Sequence, residues 1–569
     1  MKNSTYDYIV IGGGSAGCVL ANRLSADPSV TVLLVEAGGR DSHPLFHMPA
    51  GFAKMTKGIG SWGWHTVPQK HLKNRVLRFT QAKVIGGGSS INAQIYTRGV
   101  PADYDEWESL GGASGWRYRD VLPYFKRSED NERFANAFHA YGGPLGVSNP
   151  ISPLPICEAF FRAGQDMGIP FNGDFNGAAQ EGLGYYQLTQ RNARRSSASS
   201  GFLDPVLGRP NLSVWLRTQT LRVVMEGHRA IGVELATCGE RVPKIVRARR
   251  EVIVSSGAIG SPKLLLHSGI GPAAHLEAVG VRPLHDLPGV GENLQDHLDL
   301  FVIAECTGEH TYDKYNKLHH AALAGLQYLV QKKGPVASSL FETGGFWYAD
   351  GVDTTARSPD IQLHLGLGSG IEAGMAKLQH AGVTLNTAYL RPRSRGTVRL
   401  ANADPASAPL IDPNYWAEPC DRAKSIKGLR LARELIAQSA LARFVQSEVL
   451  PGASVQSDDD LFDYACANAK TDHHPVGTCR IGHPNSRESV VAPDLRVIGI
   501  EGLRVVDASV MPFIPSCNTN APTIMVAEKA ADLILGKSAS VEPAFVQPAG
   551  AGRSASGAGQ HATKALIAS

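Results

Sequence analysis

The sequence predicts an α/β protein. A parallel nucleotide-binding sheet is assembled from separated stretches of chain and joined to a second region with an antiparallel sheet and helices. Three observations predict this. The chain opens on a strand, a glycine turn, a helix and a second strand. Further strand–helix units of the same kind return far downstream. The length of 569 residues exceeds what one simple core accommodates.

Each element has a local signal. "YDYIVIGGGSAGCVLANRLS" reads as strand, turn and helix, and "TVLLVEAGG" as the next strand. "REVIVSSGAIG" is a later strand running into "SPKLLLHSGIG", where Ser261–Pro262 predicts a helix start. "LRVVDASVMP" is a strand close to the end. "APTIMVAEKAADLILG" is an amphipathic helix with Pro522 in its first turn and Gly536 as its stop. "RGTVRL" reads as an antiparallel strand of the second region. The expected division is 1–150, 201–300 and 462–537 for the nucleotide domain, and 151–200 with 301–461 for the second domain. The Ser/Ala/Gly-rich tail over 538–569 is expected to be disordered.

Composition narrows the function classes. Fifty-six basic and 52 acidic residues leave a net charge of +4. No run of like charges appears, so nucleic acid is not an expected partner. The eight cysteines are scattered without a C-x-x-C pair, which excludes a zinc ribbon or disulfide framework and suits a reducing compartment. No apolar run reaches the ~7–15 residues of a signal core or the ~20 of a membrane span. The expectation is a cytoplasmic protein, with peripheral membrane contact left open.

Gly12-x-Gly14-x-x-Gly17 lies between a strand and a helix, and Glu36 ends the next strand. This is a Rossmann-like dinucleotide fingerprint. Gly12 permits the turn, Gly14 lets backbone approach a pyrophosphate, and Gly17 lets helix and strand pack. Ser15 and Ala16 open the helix whose free N–H groups would face the phosphates. Glu36, followed by Ala37, would accept from a ribose diol, which argues against NADP but does not separate FAD from NAD.

"KVIGGGSSINAQIYTRG", "GAIGSPKLLLHSGIGP", "ENLQDH", "HPVGTCRIG" and "NTNAPTIMVAEKAADLI" together resemble, in order, the motifs of the glucose–methanol–choline oxidoreductases. The resemblance runs from Tyr6 to Gly536. It implies an FAD-binding domain and a substrate-binding domain. By that resemblance the loop from Val84 to Ala93, with Gly88 and Asn92, lies along the flavin. Val223 touches the adenine end, Ala258 sits on the turn beside the cofactor, and Asp507 and Ala508 lie near the ribityl chain. Trp62 and Trp64 resemble the segment over the flavin, with plain packing as the alternative. Some members attach FAD through a histidine before the motif asparagine. Ile91 stands at that position, so non-covalent FAD is expected.

Alcohol oxidation needs a base near neutral pKa for the hydroxyl proton and a donor for the developing alkoxide. The resemblance places the base at His474, directly before "PVGT", and its partner at Asn518, ten residues before Glu528. Thr519 follows at the start of the last helix. The amino-terminal dipole of that helix would favour negative charge if it points at the flavin. His473 is either a cavity residue or a structural histidine. A metal site from His473, His474 and Cys479 is disfavoured, because adjacent side chains rarely reach one ion. A serine hydrolase reading fails for "GGGSSIN" and "GPVASS", which lack the G-x-S-x-G elbow.

Substrate signals are thinner. Glu342 and Phe346, in "SSLFETGGFWYAD", could hold an ammonium group, and His364 could face the cavity. "HPLFHMPAGFAKMTKG" and "DFNGAAQEGLGYYQLTQRNARRSS" resemble the bacterial sorbose dehydrogenase branch more than choline dehydrogenases. The branch implies oxidation of a primary alcohol (a polyol, sugar alcohol or sugar such as sorbose) with a quinone or a dye as acceptor. Choline or polyether alcohols, and an oxidase using O2, are alternatives. A hydroxynitrile lyase or a silent FAD-binding protein is more remote.

Overall fold

The computed structural model describes residues 4–239, 242–351 and 358–537. The predicted tail lies outside the described residues.

The first sheet is built on Thr5–Ile11, a run buried along nearly its whole length, as expected for a strand covered on both faces. It pairs in parallel with Val32–Val35 on one side and Lys244–Val254 on the other. Leu212–Trp215 extends the parallel set beyond Val32–Val35. Lys244–Val254 serves two partners along one edge. Its first half pairs antiparallel with Arg229–Thr237, and its last three residues pair in parallel with Leu503–Val505. Thr218–Glu226 closes that antiparallel extension. The carboxyl ends of the parallel strands therefore meet at one edge, where an open α/β sheet takes its ligand.

Two helices fix this edge. Ser15–Leu24 follows the glycine turn. A Cβ on Gly17 would sit 1.9 Å from the Gly12 carbonyl oxygen, so only glycine allows this helix to lie so close to the strand. Asn520–Leu535 ends at Gly536 in the left-handed region, φ 64°. Its Glu528 is fully buried and takes ion-paired hydrogen bonds from Arg23 and Arg127. That pairing ties the last helix to the first. Removing both arginines would leave the buried Glu528 charge uncompensated.

The helix after the long strand corrects its predicted start. It runs Gly257–His267 and carries Pro262 inside it. Proline cannot donate to the carbonyl of Ala258, four residues back. The Thr478 hydroxyl donates to that oxygen instead, at 2.6 Å, so the helix starts earlier than the proline signal suggests.

The second sheet is antiparallel, in the order Val445–Leu450, Leu298–Cys306, Gly382–Tyr389, Ile361–Gly366, Thr343–Trp347, Gly182–Tyr185. Alternation gives it two characters. Ile361, Leu363, Leu365 and Leu385 face a core shared with the helices Pro155–Asp166 and Pro419–Ile436. Gln362, His364 and Asn386 alternate with them; His364 and Asn386 line the cavity, and Gln362 reaches Asn518.

Two details depart from the expected division. Asp458–Asn468 packs into the second core, and Lys470–Thr471 pairs with Leu298–Asp299, so the second sheet draws on chain beyond residue 461. "RGTVRL" does form an antiparallel strand, Thr397–Arg399, but it pairs with Leu410–Asp412 in a separate two-stranded sheet. Its Val398 packs with Ile259, Phe79 and Trp64, beside the first sheet.

Candidate active site

One continuous cavity runs from the carboxyl edge of the first sheet to the polar face of the second. At its first end Gly12, Gly14, Ser15, Ala16, Glu36 and Ala37 line the wall. Gly12 has φ +99°, and a Cβ there would strike the Ser255 carbonyl oxygen at 2.4 Å. Gly17 packs against Gly12 rather than facing the cavity. Gly14 caps the first helix without any side-chain hydrogen bond, so its first N–H groups are open to an anion. Glu36 accepts from Gly13 N–H at 2.8 Å and Gly38 N–H at 2.6 Å. Burial nevertheless raises its pKa. Each carboxylate oxygen keeps acceptor capacity for a diol.

The middle of the cavity is walled by Val84, Gly88, Asn92 and Ala93 on one side and Ala258, Asp507, Ala508 and Thr519 on the other. A Cβ built on Gly88 meets nothing within 4 Å, so the space beside this loop is open. Trp62 and Trp64 also line the cavity and stack at 5.0 Å with planes 14° apart. Asp507 accepts from Gly257 N–H at 2.9 Å and Ser509 N–H at 2.8 Å, and so locks the two strand ends together. The fully buried Arg195 donates to the Asn92 side-chain oxygen at 2.7 Å. That turns the Asn92 NH2 group away from Arg195. Burial among neutral partners pulls the Arg195 pKa down to about 9. The last helix also starts uncapped, and Asn518, Thr519, Asn520 and Thr523 line the cavity there.

Val223 departs from its expected place. It is buried in the first core and its N–H bonds Ser268 at 2.8 Å. Thr218 to Leu221, at the start of the same strand, line the cavity instead. Glu342 and Phe346 are corrected too. Phe346 packs edge-on against Phe175 and Tyr186. Glu342 is buried away from the cavity, with both carboxylate oxygens unpartnered, and burial pushes its pKa up to about 7. Phe346 shares the face of its register partner Gln362, but Phe175 and Tyr186 enclose it, and Glu342 precedes the strand.

At the far end His474 and Asn518 meet, with Nε2 and Nδ2 3.1 Å apart. Their hydrogen-bond partners assign the tautomer. His297 Nε2 faces the Leu390 carbonyl at 3.1 Å, an acceptor only, so this nitrogen carries hydrogen. Burial lowers the His297 pKa to about 4, leaving the ring neutral and its Nδ1 a lone pair. That lone pair faces His474 Nδ1 at 3.1 Å, and an Asp472 carboxylate oxygen lies 3.4 Å from the same nitrogen. The His297 lone pair puts the proton on His474 Nδ1 and leaves Nε2 unprotonated toward Asn518. The Asn518 oxygen accepts from Thr97 Oγ1 at 2.9 Å and Gln362 Nε2 at 3.0 Å. Its NH2 group is therefore turned toward His474. Burial, then the neighbouring His297, His364 and His473 rings and Lys470, hold the His474 pKa well below the ordinary value.

The loop carrying the pair is pinned by Asp296, which accepts from Thr471 Oγ1, Tyr415 OH and His474 N–H. His473 adopts φ 62°, a left-handed backbone costing about 1–2 kcal/mol outside glycine. It lines the cavity, and its Nδ1 has no partner. Beside it, Lys470 bridges Asp299 at 2.5 Å and Glu372 at 2.7 Å. Burial works against ionising Glu372, but Lys470 prevails and holds its pKa below the usual value. Burial, reinforced by Asp299, pushes the Asp472 pKa well up. Cys479 lies in the first core. The donor atoms of His297, Asp472 and His474 lie within 4.8 Å of one another, a convergence the hydrogen-bond chain already explains.

Sequence reading missed His297, Asp296, Arg195 and the Lys470 cluster. The motif "ENLQDH" contained the signal for the first two, but no spacing shows that its histidine abuts another 177 residues away.

Comparison with known proteins agrees with this architecture. Two GMC oxidoreductase family models match residues 6–299 and 392–527. An alcohol dehydrogenase (acceptor) of Pseudomonas putida is 41% identical over 94% of this chain and 96% of its own. An oxygen-dependent choline dehydrogenase of Brucella ovis is 41% identical over 93% and 96%. A formate oxidase of Aspergillus oryzae, studied for FAD modification, superposes with a TM-score of 0.88 at 27% identity, covering 94% of this chain and 99% of its own. The uncapped helix ends, the glycine cradle and the open loop fit FAD, and Ile91 offers no atom for a covalent bond to it. Acid denaturation should release the flavin into the supernatant; colour retained in the pellet would contradict non-covalent binding. With the cradle, the imidazole–amide pair and these likenesses together, the chain is a GMC oxidoreductase, an FAD-dependent enzyme that oxidises alcohols.

Proposed function

We propose that this enzyme oxidises a primary alcohol to the aldehyde, with a polyol, sugar alcohol, sugar such as sorbose, or simple alkanol as substrate. The observation that carries this is the unprotonated His474 Nε2 beside the Asn518 NH2 group in a buried cavity. Bound FAD supplies the hydride acceptor. An alcohol hydroxyl placed between the two residues gives its proton to His474 Nε2, and the Asn518 N–H bonds the oxygen as charge develops. His297 acts through His474, holding Nδ1–H and so keeping Nε2 available. Farther hydroxyls of a polyol meet a wall with unpartnered buried atoms: His364 Nε2, Asn386 Oδ1, His473 Nδ1 and an Asp472 oxygen.

A second reading has its own support. Glu372 and Asp472 put acid in the cavity, beside Phe52 and Phe341, and the choline dehydrogenases are equally similar in identity. An alkylammonium alcohol such as choline suits that end; polyether alcohols rank with it. A panel of alkanols, polyols, sorbose, polyethers and choline, followed by dye reduction, separates these. The acceptor is proposed as a quinone or a dye that replaces it. Oxygen uptake matching dye reduction would instead make this an oxidase.

His297→Phe tests the tautomer assignment. It keeps an aromatic ring and removes the acceptor, so turnover should fall roughly 10–100-fold with FAD content unchanged. A variant as active as the parent would sink the relay.

A further inference from the structure

Leu318–Gln331 is a helix turned inside out. Only Ala324 and Tyr328 are buried on its inner side. Its outer side carries Leu318, Leu323, Leu326, Leu329 and Val330, each between 58% and 86% exposed. A surface helix of a soluble protein normally presents charge to water and its apolar stripe to the core. At 3.6 residues per turn these side chains fall in one sector opposite Tyr328, with Ala322 among them. Exposed leucines scattered singly need no explanation, but five on one sector of one helix form a patch.

The charges flanking this patch are all of one sign. Lys314 and Lys317 precede the helix, Lys332 and Lys333 follow it, and no acid lies between Lys314 and Lys333. Glu309 pairs with Lys317 at 2.9 Å, and the Asp313 carboxylate points inward to the Ser369 and Gly382 N–H groups. Basic ends around an apolar sector complement an anionic lipid surface, with leucines entering the acyl boundary and lysines reaching the headgroups. A second copy of the helix fits worse. Whether paired parallel or antiparallel, the lysines at its ends would meet lysines.

We propose that this helix docks the enzyme on the surface of an anionic phospholipid bilayer, lying in the interface. No described helix is long and apolar enough to cross a membrane, which agrees with lying on it. The seat of the helix gives the docking a consequence. Tyr328 packs with Met48 and Ala337, and its hydroxyl bonds the Ala193 carbonyl at 2.9 Å. Four residues beyond Met48 and Ala337 stand Phe52 and Phe341, whose rings lie 5.8 Å apart in the cavity wall. Docking would set the apolar wall of the cavity next to the lipid boundary.

Co-sedimentation of the FAD-loaded full chain with extruded vesicles tests this. Vesicles of phosphatidylglycerol with phosphatidylethanolamine should carry the protein down, and pure phosphatidylcholine should do so far less. The double change Leu326→Glu with Leu329→Glu should lower the bound fraction by roughly tenfold or more. Lys332→Glu with Lys333→Glu should abolish the preference for anionic lipid. Dye-linked activity of both variants in lipid-free buffer should match the parent, which shows that they fold. Parent protein staying in the supernatant, or both variants sedimenting like the parent, would overturn the proposal. So would light scattering that shows a lipid-free dimer abolished by the leucine changes, since the patch would then belong to a second copy.

Discussion

Replacing His474 with alanine should slow anaerobic bleaching of the flavin by an alcohol roughly 10²–10⁴-fold, the span a positioned general base contributes. FAD content should not change, because the glycine cradle and the strand ends that face the cofactor lie elsewhere in the cavity. The comparison that decides is absorbance: flavin per protein against the rate of its loss on mixing. Undiminished bleaching would remove His474 from the chemistry. The pH profile of the parent gives a second check. Burial and the surrounding His297, His364, His473 and Lys470 depress the folded pKa of His474, whose Nδ1 lies 3.4 Å from an Asp472 oxygen. A depressed pKa keeps the base neutral to lower pH, so kcat/KM should stay flat through neutrality. It should fall only below the ordinary imidazole value of 6.5. An acid limb centred above 6.5 would show that the burial argument fails.

How much of this was legible beforehand depended on distance along the chain. Strand, turn and helix from Thr5 to Leu24 follow local rules, and so does Gly536 as a helix stop. His474 and Asn518 came from motif positions, and the structure brings them to hydrogen-bond distance. What stayed hidden is what folding alone assembles. Pro262 lies inside a helix because a distant threonine serves the carbonyl it abandons. Val223 falls in the core because the cavity meets only the first residues of its strand. Glu342 stands beside aromatics in the sequence, yet the fold buries it away from the cavity. Glu372, an acid that does reach the cavity, sits in a stretch with no periodicity to mark it.

Asn518→Asp should cost about 10²–10³-fold in turnover although it changes one amide to a carboxylate of the same shape, the range for losing a donor to a developing oxyanion. The amide is held in one orientation by donors on its oxygen, Thr97 and Gln362, so its NH2 is what faces His474 Nε2. A carboxylate has no hydrogen to offer there. Its nearer oxygen would draw a proton onto Nε2, raising the His474 pKa and occupying the lone pair that takes the substrate proton. The same charge would oppose the alkoxide. Both effects act on the reacting oxygen, so kcat should fall and the acid limb of the profile should move to higher pH. Asn518→Ala removes the donor without adding charge, and should lose turnover with the limb unmoved or lower. If the two variants share one pH profile, the amide is only a spacer. If the aspartate variant alone shifts upward, the orientation of Asn518 and the tautomer of His474 are both as their hydrogen bonds assign them.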